Sequence, residues 1–158
     1  MPGVAESTGR RDLVCRWGPV AAWAATIWLF STEYFTGDGT SRVLVPLLEF
    51  FLPRAAPELL SQLHGLLRKL AHVTEFALLA LLLGRALMRS HRTLAWLAWR
   101  VLPMAVAWAI LDEWHQTFVP RRVGAVTDVL LDSAGVLLGF AVFAAWRARF
   151  NSGRRSRV

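Results

Sequence analysis

The residues of this chain most able to do chemistry are gathered in one run, Asp112-Glu113-Trp114-His115-Gln116-Thr117-Phe118-Val119-Pro120-Arg121-Arg122. It sets two adjacent carboxylates, an imidazole, an amide and two guanidinium groups between two apolar stretches, residues 94–111 and 129–146. The second stretch is broken only by Asp132 and Ser133. Neighbouring carboxylates oppose each other's ionisation, which suits general acid–base work. They can equally hold a cation, or the guanidinium of Arg122 through two parallel hydrogen bonds. Arg121 and Arg122 also suit recognition of phosphate or carboxylate groups.

Two further sets share the right spacing. Lys69, His72 and Glu75 recur at intervals of three and so occupy one helical face. Asp128, Asp132, Gly135 and Gly139 recur at four, three and four and form one stripe. His72 and Glu75, with His115 and the Asp112–Glu113 pair, make a chemically reasonable donor set for a metal. The spacing is not that of the His-Glu-x-x-His zinc helix. A carboxylate hydrogen-bonded to His72 satisfies both groups without a metal, so neither metal nor cofactor is expected.

For acid–base or hydrolytic chemistry the candidate catalytic residues are His72, Glu75, Asp112, Glu113 and Asp128. For ligand binding they are Lys69, His72, Glu75, Asp112, Glu113, Gln116, Arg122 and Asp128. The plainer alternative is a salt-bridge network that ties helix ends together. Ser31 and Ser133 lack a Gly-x-Ser-x-Gly setting, so no serine nucleophile is expected.

What must position these groups is a set of long apolar runs. The chain of 158 residues is 55% hydrophobic, and the apolar residues fall in blocks. Four blocks, near 17–35, 70–88, 94–112 and 126–146, approach the roughly 20 residues that cross a bilayer. The expected fold is an all-α integral membrane four-helix bundle with one domain over residues 17–146. Basic tails, 1–16 and 147–158, flank it, and residues 1–12 are expected to be mobile.

Between the first two spans, Gly37-Asp38-Gly39-Thr40-Ser41 has turn chemistry. Val43–Leu52 is too short to span and is expected to be an interfacial helix or a re-entrant segment. Pro57 opens a helix, with Glu58 in its first turn, that continues into the second span. Pro103 is expected to kink the third span. The eight tryptophans are expected mostly at lipid-facing or belt positions.

The net charge is +7, and its placement is informative. Arg10, Arg11 and Arg16 precede the first span. Arg85, Arg89, His91, Arg92 and Arg100 surround the link between the second and third. Arg147, Arg149, Arg154, Arg155 and Arg157 follow the fourth. With four spans the three clusters share one side, which the positive-inside rule makes the cytoplasm. Both termini are then cytoplasmic, and the polar ends of spans two, three and four meet at the outer leaflet. This alternation accounts for the basic charge without nucleic acid, for which no motif is present. The lone Cys15 excludes an internal disulfide and a cysteine zinc site. The first run continues through Trp28, Leu29 and Phe30 without a small-residue cleavage site and reads as a retained helix, not a signal peptide.

Over residues 17–146 the chain resembles the VanZ-like family of bacterial integral membrane proteins. The matching pieces are Phe30-Ser31-Thr32, then Lys69-Leu70-Ala71-His72 with Glu75-Phe76. The longest is Asp112-Glu113, Gln116, Phe118, Pro120, Arg122, Asp128, Gly135 and Gly139 in register. Two positions depart from the family pattern: Arg121 stands where Gly is usual, and Asp132 where Asn is usual. The resemblance implies a multi-pass protein of the bacterial cytoplasmic membrane. For the family's founding member it implies accessory resistance to teicoplanin-type glycopeptides. The function expected from residues and resemblance together is binding or modulation of an anionic envelope amphiphile, a lipid or cell-wall lipid intermediate, in an outer-leaflet polar pocket. A membrane-embedded lipid hydrolase or transferase, metal-assisted or not, and a structural subunit of a membrane complex are the alternatives.

Overall fold

The computed structural model describes residues 3–32, 37–89, 92–119 and 125–155. They form five helices: α1 (Gly3–Phe30), α2 (Gly37–Phe51), α3 (Pro57–Leu87), α4 (Leu94–Gln116) and α5 (Val126–Arg155). All but α2 contain a segment long and apolar enough to cross a membrane, so the chain is a multi-pass membrane protein. The expected all-helical architecture is the one observed.

Several boundaries differ from the sequence expectation. α1 begins at Gly3, so residues 3–12 of the segment expected to be mobile are helical and continuous with the first span. The Gly37–Ser41 stretch is the first turn of α2 and not a turn between elements. Gly and Asp start helices as readily as they make turns, and local sequence does not separate the two uses. α2 is the helical form of the expected interfacial segment. α5 continues to Arg155, past the expected end of the fourth span. Pro57 does open α3, from an extended Ala56, with Glu58 in the first turn. Thr93 caps α4, its Oγ1 accepting from the Trp96 N–H at 3.1 Å.

α3 has 31 residues and is about 46 Å long, well beyond a hydrocarbon core of about 30 Å. Its N-terminal part packs against α2, and apolar side chains there, including Phe50, Phe51, Leu59 and Leu66, are exposed. α3 and α4 form the middle of the bundle, with α1 and α5 packed on either side of the pair. The core holds Ile27, Phe76, Leu79, Leu83, Val101 and Val136 with the small residues Ala80, Ala105 and Ala109. Leu137, Leu138, Val142 and Trp99 face outward, an apolar exterior that suits lipid.

The closest approach in the bundle is between α3 and α5. A Cβ added to Gly135 would meet the Val73 carbonyl oxygen, and one added to Gly139 would meet that of Ala77. The two glycines bring the helix backbones into contact, as small residues do where helices pack in membranes.

Candidate functional site

The polar residues converge because three helices end or begin at one end of the bundle and a fourth runs past it. α1 and α4 finish there with Ser31 and Asp112–Gln116, α5 starts there with Asp128, and α3 passes through with His72 and Glu75. Asp112 is fully buried and forms the centre of one cluster. It accepts from Ser31 Oγ at 2.5 Å and from Gln116 Nε2 at 2.8 Å. Gln116 Nε2 lies 3.4 Å from Ser31 Oγ, closing a triangle of three buried polar groups. The Asp112–Gln116 pair follows from helical spacing; Ser31 arrives from α1.

A second cluster joins α3 to α5. His72 Nδ1 and Asp132 Oδ1 are 3.5 Å apart, an ion-pair distance longer than a good hydrogen bond. Asp132 is fully buried, and neither of its oxygens accepts a hydrogen bond from the described residues. Glu75 and Asp112 also lie within electrostatic range of His72.

Glu113 lies between the clusters. Its Oε2 accepts from the Ala125 N–H at 3.0 Å, fixing the residue that leads into α5. Its Oε1 is buried with no donor among the described residues. Asp112, Asp128 and Asp132 all lie within electrostatic range of it. The described part of this end therefore presents more buried acceptors than donors. Asp112 and Glu113 also stand at the C-terminal, negative end of α4, where a carboxylate gains nothing from the helix dipole.

The sequence candidates fare differently. His72, Asp112, Glu113 and Gln116 are drawn inward, and Asp128 is half-buried in the first turn of α5. Glu75 is half-buried, and its backbone carbonyl accepts from Trp23 Nε1 at 2.9 Å. Lys69 is exposed, three positions before His72. Arg121 and Arg122 lie outside the described residues. His115 stacks on Trp28 at 4.1 Å between ring centroids. Trp28 and Trp23 thus have contacts inside the protein that a belt assignment does not capture. Among the described residues, no three His, Cys, Asp or Glu side chains are placed to hold one metal ion.

Two participants were absent from the candidate set. Ser31 sits in the weakest of the matching pieces, and its signal was a hydroxyl at the membrane depth of the Asp112 end. Asp132 is legible in the sequence through the stripe it shares with Asp128, Gly135 and Gly139 and as a departure from the family pattern.

A family model described as VanZ/LLP1 matches residues 17–147, most of the chain. No curated protein and no solved structure matches it.

Proposed function

Because this chain belongs to the VanZ/LLP1 family, and because among the described residues its buried acceptors outnumber their donors, we propose that the polar end of the bundle binds an anionic envelope amphiphile. The observation that carries the reading is that, among the described residues, no donor reaches either oxygen of Asp132 or Oε1 of Glu113. Buried carboxylates need a cation or donors nearby. Arg122 is the nearest basic residue in sequence to Ala125, and three residues of chain give it a reach of about 11 Å from there. A guanidinium held on one side by Glu113 or Asp128 keeps donors on its other side for a phosphate or carboxylate headgroup. Lys69 adds a second positive charge at the same end, and α2 with its exposed Phe50 and Phe51 provides an apolar border.

In this reading the protein lies in the bacterial cytoplasmic membrane with both termini inside. The site then opens at the outer leaflet, where lipids and cell-wall lipid intermediates present such headgroups. Tolerance of glycopeptide antibiotics is the phenotype this reading attaches to the site.

Binding of a polyprenyl phosphate to the purified protein in detergent, with the uncharged polyprenol as comparison, tests the reading. The phosphate should bind and the alcohol should not. Arg122→Ala should weaken binding about tenfold or more, and Arg122→Lys about as much, because lysine supplies the charge without the fork. Arg121→Ala should be mild. An essential Arg121 beside a dispensable Arg122 would overturn the assignment, and release of polyprenol from the phosphate would replace binding by hydrolysis.

Orientation has its own test. In a variant without Cys15, single cysteines at positions 38 and 121 should react with an impermeant thiol reagent applied to intact cells. A cysteine at position 91 should react only after lysis, and its labelling from outside would move the site to the cytoplasmic face.

A further inference from the structure

The other end of the bundle holds a cleft of ≈ 340 Å³ walled by Asp12, Arg16, Trp17, Arg89, Arg92 and Trp96. We propose that it is a binding site for the phosphate group of an anionic phospholipid headgroup, separate from the polar site above. The proposal rests on how the arginines at this end are used.

Three of them serve the framework. Arg16 pairs with Asp12 at 2.9 Å and donates through Nη1 to the Met88 carbonyl at 3.1 Å, tying α1 to the end of α3. Arg85 donates through Nη2 to the Cys15 carbonyl at 3.1 Å. Arg147 reaches from α5 to the Arg92 carbonyl. These contacts fix the walls and the backbone of Arg92.

The Arg92 side chain is held differently. Its guanidinium lies over the Trp96 ring, 4.1 Å from the centroid. A stacked guanidinium keeps its N–H groups directed sideways, in its own plane. Its Nε is buried and donates to no acceptor among the described residues. Arg89 lies exposed on the same cleft. Asp12, the carboxylate in the wall, is already paired with Arg16. The cleft therefore offers the charges of Arg89 and Arg92, the second held in place by its stack on Trp96.

A phosphate group matches those charges. The volume lies in the range of small-ligand sites, roughly 300–1,000 Å³. Inorganic phosphate and a phosphodiester headgroup share this chemistry. The remaining walls decide for the lipid: Leu13, Trp17 and Leu87 give an apolar surface beside the arginines for the glycerol and acyl chains. Basic pockets between transmembrane helices on the arginine-rich side hold anionic headgroups in this way.

Native mass spectrometry of the full chain in neutral detergent provides the test, with dioleoyl phosphatidylglycerol, dioleoyl phosphatidylcholine and inorganic phosphate as probes. Phosphatidylglycerol should be retained about tenfold more tightly than phosphatidylcholine. Arg92→Gln should remove about tenfold of that affinity, and Arg92→Lys nearly as much, since it keeps charge but loses the stack. Arg89→Gln, at an exposed position that packing does not constrain, should weaken retention even if the Arg92 variants fail to fold. Arg149→Gln removes a charge at the same end outside the cleft and should change retention by less than about twofold. Equal retention of the two lipids, or equal losses in the Arg149 and cleft variants, would show diffuse attraction and overturn the site. Inorganic phosphate that binds with the same Arg92 dependence and displaces the lipid would overturn the lipid assignment.

Discussion

Gly139→Ala is expected to lower the stability of the bundle by about 3 kcal/mol or more, the upper range for overpacking a rigid contact. The reason is the partner it would meet. The new Cβ would fall on the Ala77 carbonyl, which is helix backbone and cannot rotate away. α3 and α5 must separate, and the separation extends to His72 and Asp132, which join the same two helices. Gly135→Ala should act in the same direction through Val73. Gly65→Ala is the contrast. No atom lies within 4 Å of the added Cβ there, so the change should be neutral or stabilise by roughly 0.5–1 kcal/mol through helix propensity. Thermal unfolding of the three variants in one detergent measures this, and a Gly139→Ala protein as stable as the parent would refute the seam.

Asp112→Ala carries the second large expected effect, a loss of about 3 kcal/mol. The substitution deletes one fully buried carboxylate and the best acceptor of both donors that reach it, leaving Gln116 Nε2 with only the long contact to Ser31 Oγ and Ser31 Oγ with the Ile27 carbonyl. Poorly satisfied buried donors cost more than the hydrogen bonds themselves are worth. Asp112→Asn keeps one acceptor oxygen in place and should cost only about 1 kcal/mol. The order of the two variants is the diagnostic. If Asn were as damaging as Ala, the negative charge and not the hydrogen-bond geometry would be what the site requires. If neither changed unfolding, the triangle of Ser31, Asp112 and Gln116 would have no structural weight.

The membrane spans were legible because hydrocarbon imposes one length and one composition, and the four apolar runs meet both. The start of α1 and the first turn of α2 were not, because polar residues outside hydrocarbon carry no such constraint. Within the site, Asp112 and Gln116 were legible as a pair from their spacing along one helix. The joining of His72 to Asp132, and of Ser31 to Asp112, depends on which helices are neighbours, and no period within a single segment encodes that. Gly135 and Gly139 held part of the answer: they announced a close approach, and only the fold named α3 as the partner. Arg122, the cation on which the sequence reading leaned most, falls outside the described residues, so its role rests on the binding experiment.

The tightest helix pair in this protein is not a consecutive one. α4 separates α3 from α5 along the chain, yet α3 and α5 meet backbone to backbone. During synthesis α3 emerges with His72 on it long before its partner exists. Spans that insert as separate helices associate afterwards, so the seam and the polar site close in a single late step once α5 has entered the bilayer. A chain halted after α4 would retain Asp112, Gln116 and Ser31 but leave an imidazole without its aspartate in the middle of the bundle. Completion of the last helix is then what gives His72 its carboxylate partner.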